Sequence, residues 1–418
     1  MAQPEIWSFF TGAMGLDLGL EEAGIHSTLA VELDSWCCKT IRDNKPALDL
    51  IEGDISTLSA TDLKKHRPCP EGVFLMVGGP PCQTFCPGGK RAALSDPRGN
   101  LIYSYLKLVD EIRPRYFILE NVGNLVTAAI RHRPIAERPG KHWSLKAYEK
   151  KPSHGAVPEA AMQPDELSGS AIRQLFADMR DLGYDLNFTV VNAAEYGAPQ
   201  HRYRFVMIGA RDGRAPSIPP PVYGERSELE TPFVSVRTAI HDLRMNPGPH
   251  SEYTPAMKRF FELVPPGGTW RSLPKELQRE ALGGAFNSGG GKTGFFRRLS
   301  WECPAPTITG RSNRKASAVC HPEFTRPLSV RESARLQGFH DSWRFSGAMS
   351  QQYQQVGNAV PIALGRAIGA AVLSHIDSPR SITQTEFDVE AELLVAVKTL
   401  RATARNKRKK KLQPTLFD

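Results

Sequence analysis

Two short stretches decide the fold: IWSFFTGAMG at residues 6–15 and LAVEL at residues 29–33. The first is an apolar run that leads into a glycine-containing loop, and the second is an apolar run that carries Glu32 near its end. A helical stretch lies between them, so the order predicts a strand, a loop, a helix and a second strand. Because this alternation continues along the chain, we predict an α/β protein with a doubly wound, mostly parallel sheet. Ligands of such sheets bind at the carboxyl ends of the strands.

Further apolar runs and helical spacings continue the pattern. They are Val73–Val77, Leu101–Ile112, Tyr116–Leu119, Ala171–Leu182 and Phe205–Ile208. Helical patterning returns towards the C-terminus, at Ser329–Gln337 and Gly357–Leu373. A last amphipathic stretch predicts a C-terminal helix over Thr385–Leu400.

The pattern breaks in two places. Residues 124–168 are rich in Pro, Lys and His and poor in apolar residues, which predicts a basic, mobile insertion. Residues 211–325 contain a proline run and a glycine cluster, which predicts a smaller, irregular domain. We therefore expect a main α/β domain over 1–210 and 326–376, and a C-terminal helix with a basic disordered tail over 377–418.

The composition is that of a globular protein with a sizeable core. Of the 418 residues, 40% are hydrophobic and 23% are charged, which excludes wholesale disorder. No uninterrupted apolar segment approaches the ~18 residues of a membrane span, and the N-terminus lacks the features of a signal peptide. Seven cysteines without a Cys-x-x-Cys pair favour reduced thiols, so we expect a cytoplasmic protein.

The net charge of +9 is concentrated in three segments. Residues 401–418 carry seven basic side chains against one acidic, residues 127–158 seven against two, and residues 211–325 sixteen against eleven. The remainder of the chain is therefore mildly acidic. This distribution indicates a main domain with added polyanion-binding parts, although each segment alone is also consistent with an ordinary solvated surface.

A cysteine occupies a loop at the end of a predicted strand. The segment is GGPPCQTF at residues 78–85, and it places Cys82 after two glycines and two prolines. Proline locks φ and removes a backbone donor, so the loop is rigid. A thiol held in this way suits a nucleophile, whereas a packed structural cysteine would have apolar neighbours.

Charged side chains flank two other predicted strands, and one of them, Glu120, follows a strand that is predicted to end at the same sheet edge as the Cys82 loop. Glu120 is placed near the Cys82 thiol, where a buried acid with a raised pKa can donate a proton to a ring nitrogen. In QHRYR at residues 200–204, Arg202 and Arg204 lead into the strand Phe205–Ile208. Because side chains alternate along a strand, both arginines are expected on the face of the site.

The glycine loop and two acidic residues suit a nucleotide-like ligand. Such a loop can approach the pyrophosphate of a dinucleotide or the amino-acid end of S-adenosylmethionine. The pattern is not G-x-G-x-x-G, which disfavours a dinucleotide. Glu32 suits ribose hydroxyls in either ligand and Asp54 suits an adenine amine, although each is also consistent with an ordinary strand-end or turn carboxylate.

Five motifs, in order, resemble those of the DNA (cytosine-5)-methyltransferase family, of prokaryotic and phage type. They are Gly79-Pro-Pro-Cys82-Gln, Glu120-Asn-Val, Gln200-x-Arg202-x-Arg204, RPLSVRESARLQGF at residues 326–339 and Gln355-Val-Gly357-Asn358-Ala-Val-Pro361. The resemblance covers about residues 1–210 and 326–376. It implies a Rossmann-like, S-adenosylmethionine-binding catalytic domain and makes residues 211–325 the target-recognition domain.

The resemblance also implies a covalent mechanism on a cytosine that has left the duplex. The Cys82 thiolate would add to C6, Glu120 would hydrogen-bond N3 and the exocyclic amine, and C5 would then attack the methyl group of S-adenosylmethionine. Arg202 and Arg204 would hold the flipped base. The implied cofactor-binding residues are Phe10, Gly12, Gly15, Glu32, Leu33, Asp54, Pro81, Leu101 and Asn358.

One departure from the family pattern lies in the glycine loop. The family usually has Gly-x-Gly-Gly, whereas this chain has Gly12-Ala-Met14-Gly15, so Met14 is expected to fill space near the amino-acid end of the cofactor. No nearby set of Cys and His side chains completes four ligands, so no metal site is expected.

The basic residues of the recognition region are concentrated between residues 286 and 316. Arginine suits base edges and phosphates, and lysine suits phosphates. The expected DNA-binding residues are Arg297, Arg298, Thr307, Arg311, Arg314 and Lys315, with Thr307-Ile308 as the family's threonine–hydrophobic pair. For any one of them, contact with phosphate alone is the simpler interpretation.

The expected partner is double-stranded DNA, bound by a monomer in the nucleoid-associated cytoplasm. The resemblance suggests a role in restriction-modification or another anti-phage system, with any nuclease or further subunit as a separate chain. The segment QPTLF at residues 413–417 resembles a sliding-clamp-binding peptide, although a chance Leu-Phe pair in an inert tail is the alternative. Two other functions stay open: methylation of cytosine in RNA such as tRNA, and a catalytically silent DNA-binding module.

Overall fold

The computed structural model describes residues 4–81, 100–131, 162–287, 294–377 and 387–409. The strands are β1 (Glu5–Phe9), β2 (Leu29–Glu32), β3 (Asp49–Glu52), β4 (Val73–Gly78), β5 (Tyr116–Val122), β6 (Asp185–Asn192), β7 (Gln200–His201), β8 (Tyr203–Ala210), β9 (Arg297–Arg298), β10 (Ala305–Pro306) and β11 (Val319–Cys320). The helices are α1 (Gly15–Glu22), α2 (Ser35–Asn44), α3 (Ala60–His66), α4 (Asn100–Ile112), α5 (Ser170–Asp181), α6 (Val236–Ile240), α7 (Pro255–Glu262), α8 (Lys275–Leu282), α9 (Val330–Gln337), α10 (Met349–Asn358), α11 (Ile362–Asp377) and α12 (Val389–Lys409).

Seven strands form one sheet in the order β3-β2-β1-β4-β5-β8-β6. β1 pairs in parallel with both β2 and β4, and β2 pairs in parallel with β3. β8 runs antiparallel to β5. Sequential strands lie on both sides of β1 with helices in their connections, so the predicted doubly wound, mostly parallel α/β sheet is confirmed.

Packing divides the chain into two compact units. Unit 1 consists of Met1–Gly78, Asn192–Tyr203 and Pro216–Ile382, and unit 2 consists of Gly79–Val191, Arg204–Ala215 and Thr383–Asp418. These units differ from the predicted domains, because most of the 211–325 segment belongs to the same unit as the first four strands. Most of the predicted 124–168 insertion, residues 132–161, lies outside the described residues.

Close packing of α1 on the C-terminal part of unit 1 depends on glycines. A Cβ at Gly15 would lie 2.2 Å from the carbonyl oxygen of Val360, and one at Gly19 would lie 2.2 Å from that of Ile362. From the opposite side, a Cβ at Gly365 would lie 2.4 Å from the carbonyl oxygen of Leu16. The backbones therefore meet without intervening side chains, and this contact holds the glycine loop before α1.

The predicted recognition segment, as far as it belongs to unit 1 (residues 216–325), has short elements but an apolar core of its own. Its buried cluster is built largely from aromatic side chains on α7, α8 and the chain around β9, and it includes Tyr253, Phe260, Phe261, Trp270, Leu282 and Phe296. Tyr253 stacks on Phe261 with ring centroids 4.4 Å apart. This core keeps the irregular segment folded with few regular hydrogen-bonded strands.

In unit 2, the C-terminal helix α12 packs on α5 and on the sheet. Phe387, which precedes α12, stacks on Phe176 with ring centroids 5.4 Å apart and lies edge-on to Phe188. Glu390 accepts two hydrogen bonds from the guanidinium of Arg173, at 2.5 and 2.8 Å. The helix begins at Val389 and its backbone continues to Lys409, so it extends past the predicted end at Leu400 into the segment that was expected to be a disordered tail.

One segment of the described chain, Met349–Ile376, is long and apolar enough to cross a membrane by length and composition. It is not one continuous helix, because α10 ends at Asn358 and α11 begins at Ile362. More than half of its most apolar stretch, 56%, is buried inside the protein. The segment therefore has the properties of two core helices.

Asp17 is a carboxyl group inside the core of unit 1. It lies on α1, is 1% exposed, and accepts a hydrogen bond of 2.7 Å from the hydroxyl of Ser27. Burial raises the pKa of Asp17 from 3.8 to about 6, and the hydrogen bonds oppose that rise only in part. A carboxylate at this position therefore costs stability at neutral pH.

Replacing Asp17 with asparagine should stabilise the protein at neutral pH by at most about 3 kcal/mol. The unfolded chain releases this proton near pH 4 and the folded protein near pH 6, so the wild type loses stability relative to the variant as the pH rises between these values. Urea unfolding of both proteins from about pH 4 to about pH 8 measures the difference. A difference that does not change with pH would contradict the burial explanation.

Candidate active site

The loop after β4 lies against the carboxyl end of β5, and both belong to unit 2. The side-chain amide of Asn121 donates a hydrogen bond of 3.2 Å to the carbonyl oxygen of Pro80. A Cβ at Gly79 would lie 3.3 Å from Oε2 of Glu120. The structure thus brings together the two motifs that were predicted to share a sheet edge. Cys82 itself lies outside the described residues, which end at Pro81 in this loop.

Glu120 forms a buried ion pair with Arg204. Nε of Arg204 lies 2.7 Å from Oε1 of Glu120, and the two side chains are 12% and 8% exposed. The register of the antiparallel pair explains the contact, because Val122 is opposite Arg204 and Glu120 is opposite Val206. Glu120 and Arg204 are therefore diagonal neighbours on one face of the sheet. The guanidinium balances the charge of the carboxylate in surroundings with little water.

Arg202 does not share this position. It lies between β7 and β8, outside both strands, and its side chain is buried. Its guanidinium donates to the carbonyl oxygens of Ile308 at 2.9 Å, Gly357 at 2.9 Å and Asn358 at 3.3 Å. The expected alternation with Arg204 fails because the strand is interrupted at Arg202. In the structure, Arg202 therefore donates hydrogen bonds to backbone carbonyls of unit 1, whereas the sequence predicted that it would contact the substrate base.

The carboxylate of Glu32 organises the ends of β1 and β2. Oε2 accepts a hydrogen bond of 2.7 Å from the backbone N–H of Gly12, and Oε1 accepts from the N–H groups of Leu33 at 2.9 Å and Asp34 at 2.7 Å. Burial raises the pKa of Glu32, and these backbone hydrogen bonds work against the rise. The glycine loop and the turn after β2 are therefore tied to one acidic side chain, as expected for a ligand site at this edge.

The remaining predicted cofactor residues of unit 1 lie at the ends of neighbouring elements. Leu33 is 65% exposed, Phe10 has a left-handed φ of 56°, and Asn358 is exposed at the end of α10. Oδ1 of Asp54 accepts hydrogen bonds of 2.8 Å from the N–H and the hydroxyl of Ser56. In unit 2, Pro81 is exposed and Leu101 is half-buried in the first turn of α4.

Two residues of the glycine loop have packing roles that the sequence did not show. Gly15 faces the Val360 carbonyl across the contact between α1 and the segment before α11, so its missing side chain serves packing within unit 1. Met14 is fully buried in an apolar cluster with Ile41, Val356 and other core residues. Met14 therefore fills the core, whereas it was expected to fill space at the cofactor.

The predicted DNA-binding residues separate into internal and exposed groups. Arg298 is buried and donates to the Phe261 carbonyl at 2.6 Å and to the Thr325 hydroxyl at 2.8 Å, so it is an internal tie of the recognition segment. Arg297 is half-buried. The exposed members are Thr307, Arg311, Arg314 and Lys315, of which Thr307 also donates to the His201 carbonyl and Lys315 to the Leu282 carbonyl.

Several described cysteines are buried and poorly ionised. Burial raises the pKa of Cys38 to about 12 and that of Cys320 to about 11, and it also raises the pKa of Cys37. Cys303 is exposed. Within the described ranges, no group of three or more His, Cys, Asp or Glu side chains is placed to hold a metal ion.

The model of the C-5 cytosine-specific DNA methylase family matches residues 5–133 and 164–374. The chain belongs to this family. The match spans the Cys82 loop, Glu120, the 200–204 motif and the α9–α10 motifs, and it leaves out residues 134–163, which lie inside the predicted insertion. The family and the fold imply S-adenosylmethionine as the methyl donor.

Known methyltransferases align with most of this chain. The type II methyltransferase M.Eco47II of Escherichia coli is 35% identical over 376 residues, which are 89% of this chain and 79% of that protein. M.Sau96I of Staphylococcus aureus is 33% identical over 375 residues, 89% of this chain and 76% of that protein. Among solved structures, a prophage protein of E. coli assigned as a DNA modification methyltransferase shares the fold, with a TM-score of 0.56 and 22% identity over 90% of this chain and 100% of its own.

Two amide side chains that organise the methylase had no role assigned from the sequence. Asn121 holds the Pro80 carbonyl, and its Oδ1 accepts from the Val122 N–H at 2.8 Å. Gln337 is fully buried and donates to the Val356 carbonyl at 2.6 Å. Both residues lie inside motifs that resemble those of the family, and this position in a motif is the one feature of the sequence that could have indicated a role for them. The contacts themselves depend on residues far away in sequence.

Loss of one partner of the Glu120–Arg204 pair should destabilise the methylase more than loss of both. Arg204→Met should cost about 3 kcal/mol, because it removes the guanidinium that faces a buried carboxylate. Glu120→Leu/Arg204→Met should recover most of that loss, since both charges leave the site together. Urea unfolding of the single and double variants tests the coupling. A double variant that loses the sum of the single losses would show that the two side chains act independently.

Proposed function

We propose that the methylase transfers a methyl group from S-adenosylmethionine to C5 of a flipped-out cytosine in a specific double-stranded DNA sequence, with a transient covalent bond between Cys82 and C6. One observation carries the proposal. The buried Glu120–Arg204 pair lies against the glycine–proline loop that leads to Cys82, in a chain whose family match spans both motifs.

Each catalytic residue has a distinct part in this reaction. The base must leave the stack before a protein thiol can reach C6. Addition of the Cys82 thiolate to C6 breaks the C5–C6 double bond and moves electron density into the rest of the ring. Glu120 is proposed to donate a proton to N3 and to accept a hydrogen bond from the exocyclic amine, which stabilises that density and leaves C5 nucleophilic. C5 would then take the methyl group from the sulfonium donor, which would leave as the neutral thioether. Loss of the C5 proton would allow elimination of the Cys82 thiolate, which re-forms the C5–C6 double bond.

Arg204 is proposed to act beside Glu120 on the same base. Its guanidinium is anchored by the 2.7 Å contact with the carboxylate, which limits its motion in the buried site. A guanidinium suits the O2 atom of cytosine or the sugar-phosphate, because its N–H groups act only as donors. The pair would therefore present an acceptor and a donor side by side to one edge of the ring.

The carboxyl ends of β1, β2 and β3 fit S-adenosylmethionine, which supplies an electrophilic methyl group. Glu32 would accept the ribose hydroxyls, and Asp54 would accept the adenine amine. Leu33, with 65% of its surface exposed, would pack on the adenine ring. Gly12 has a left-handed φ of 56° and no side chain to obstruct the ligand. Phe10, Pro81, Leu101 and Asn358 stay predicted contacts of the same cofactor.

Target recognition is assigned to the exposed part of the recognition segment. Arg311, Arg314 and Lys315 are exposed within a short stretch, which suits contacts to DNA phosphates and base edges. Thr307 is exposed next to the Ile308 backbone that Arg202 holds. Arg298 takes no part in this proposal, because its donors are used inside the segment.

The proposed setting is a cytoplasmic type II restriction-modification system, as the names of M.Eco47II and M.Sau96I support. A nuclease of that system would be a separate chain. A monomeric state and association with the nucleoid stay predictions from the sequence. The clamp-binding peptide at Gln413–Phe417 also stays a prediction and lies outside the described residues.

Duplex DNA containing 5-fluorocytosine at the target should become covalently attached to the wild type in the presence of S-adenosylmethionine. The fluorine cannot leave as the C5 proton does, so the bond between Cys82 and C6 persists. Cys82→Ser should form no adduct and should lower methyl transfer at least roughly 10³-fold, while keeping DNA and cofactor binding. Denaturing electrophoresis detects the adduct, and methylation mapping identifies the sequence.

Cys303→Ser is the matched control, because Cys303 is an exposed cysteine outside the proposed site. It should keep both the adduct and the activity. An adduct on RNA but on no DNA would favour an RNA substrate, and full activity of Cys82→Ser would refute the nucleophile. No adduct on either nucleic acid would identify the protein as a silent binding module.

Asp54→Ala should weaken S-adenosylmethionine binding about tenfold, the effect of losing one hydrogen bond to a charged acceptor. Isothermal titration calorimetry without DNA measures the affinity. Asp62→Ala, which removes an exposed carboxylate from α3, should bind like the wild type. Equal affinities of the two variants would remove Asp54 from the cofactor site.

A further inference from the structure

Residues Thr307–Gly310 of the recognition segment are held inside unit 1 by contacts from the 200–202 segment. β10 pairs in parallel with β7, so Ala305 lies opposite Gln200 and Pro306 opposite His201. The Thr307 hydroxyl then donates to the His201 carbonyl at 2.8 Å. The segment is therefore hydrogen-bonded, from its first residue, to the residues that immediately precede Arg202.

Gln200 continues this attachment with a fully buried side chain. Its Oε1 accepts from the Ile308 N–H at 3.2 Å. Its Nε2 donates to the Leu336 carbonyl at 2.8 Å and to Oε1 of Gln337 at 2.7 Å. Gln337 in turn donates to the Val356 carbonyl of α10 at 2.6 Å. One chain of amides therefore joins the recognition segment to α9 and α10.

Arg202 completes the attachment from the other side of Ile308. One guanidinium nitrogen donates to the Ile308 carbonyl at 2.9 Å, and the other donates to the carbonyls of Gly357 at 2.9 Å and Asn358 at 3.3 Å. A single planar group thus bridges the recognition segment and the end of α10. Lysine cannot reproduce this bridge, because its ammonium is a point charge without a two-armed fork.

Two glycines bring the same elements into direct backbone contact. A Cβ at Gly357 would lie 2.0 Å from the backbone nitrogen of Gly310. A Cβ at Gly310 would lie 2.8 Å from the Cα of Gln354 in α10. The recognition segment therefore rests on α10 with no side chain between them, and any displacement of one must move the other.

We propose that Arg202 is a positioning residue: its hydrogen bonds hold residues Thr307–Gly310 of the recognition segment against the Gly357–Asn358 end of α10. This inference rests on the proposed function, in which Thr307 meets DNA and Asn358 meets the cofactor. Arg202 then sets the relative position of target recognition and cofactor binding without touching the base. Arg204 alone of the two arginines contacts the substrate.

The deciding experiment measures S-adenosylmethionine affinity in the absence of DNA, for Arg202→Lys and Arg204→Lys. With no base present, a residue that only holds the base has no effect. Arg202→Lys should weaken binding about tenfold, the size expected for one lost hydrogen bond of a charged donor. Arg204→Lys should bind within about twofold of the wild type. Wild-type affinity in Arg202→Lys would overturn the proposal.

Steady-state kinetics separates positioning from general damage. Arg202→Lys should raise KM for both S-adenosylmethionine and DNA by more than it lowers kcat, whereas Arg204→Lys should act mainly on kcat. A fall in kcat with both KM values unchanged in Arg202→Lys would assign the residue to the base and overturn the proposal.

Gly310→Ala provides a second variant that leaves Arg202 in place. Its added methyl should press on α10 and displace the recognition segment, so it should reproduce the loss of cofactor affinity. It decides the question even if Arg202→Lys does not fold, which thermal unfolding would reveal. Normal cofactor affinity in a folded Gly310→Ala would also overturn the proposal. A wild type that binds S-adenosylmethionine but methylates no DNA would instead refute the proposed function alone.

Discussion

A buried guanidinium must find acceptors for its N–H donors, and much of unit 1 is arranged around that requirement at Arg202. The acceptors are backbone carbonyls, which come from the recognition segment and from the end of α10. These elements are more than a hundred residues away in sequence, so they must all be in place before the charge can be buried without penalty. Arg202 itself lies in the short interruption between β7 and β8.

Two of the buried ion pairs in the described part of the chain illustrate different uses of charge. Arg326 and Glu332 form a bidentate pair at 2.7 and 2.8 Å, and Glu332 also closes the capping box of α9 with Ser329. That pair fixes how α9 begins and is fully occupied by the protein. In the other pair, Nε of Arg204 lies 2.7 Å from Oε1 of Glu120, and Glu120 lies beside the loop that leads to Cys82. Buried pairs often contribute little net stability. The proposed function gives the second pair a role in chemistry on a substrate.

Periodicity in the sequence was enough to predict the sheet, because buried parallel strands are short apolar runs. It also predicted that Glu120 meets the Cys82 loop, since both follow strands that end at one edge. It could not predict that Arg202 leaves the strand pattern or that Arg298 is internal, because their acceptors are backbone atoms of distant residues. The packing role of Gly15 could not be predicted either, because a glycine in a sequence does not show which distant residue packs against it.

The attachment of α12 has a consequence for how the protein is made. Phe176 and Phe188 are buried partly by Phe387, which is synthesised after every other described part of unit 2 except α12 itself. During translation these aromatic rings remain partly uncovered until Phe387 and α12 leave the ribosome. Exposed aromatic surface on a nascent chain favours aggregation and chaperone binding. Completion of unit 2 is therefore a late event, and the yield of soluble protein should depend on how quickly α12 docks.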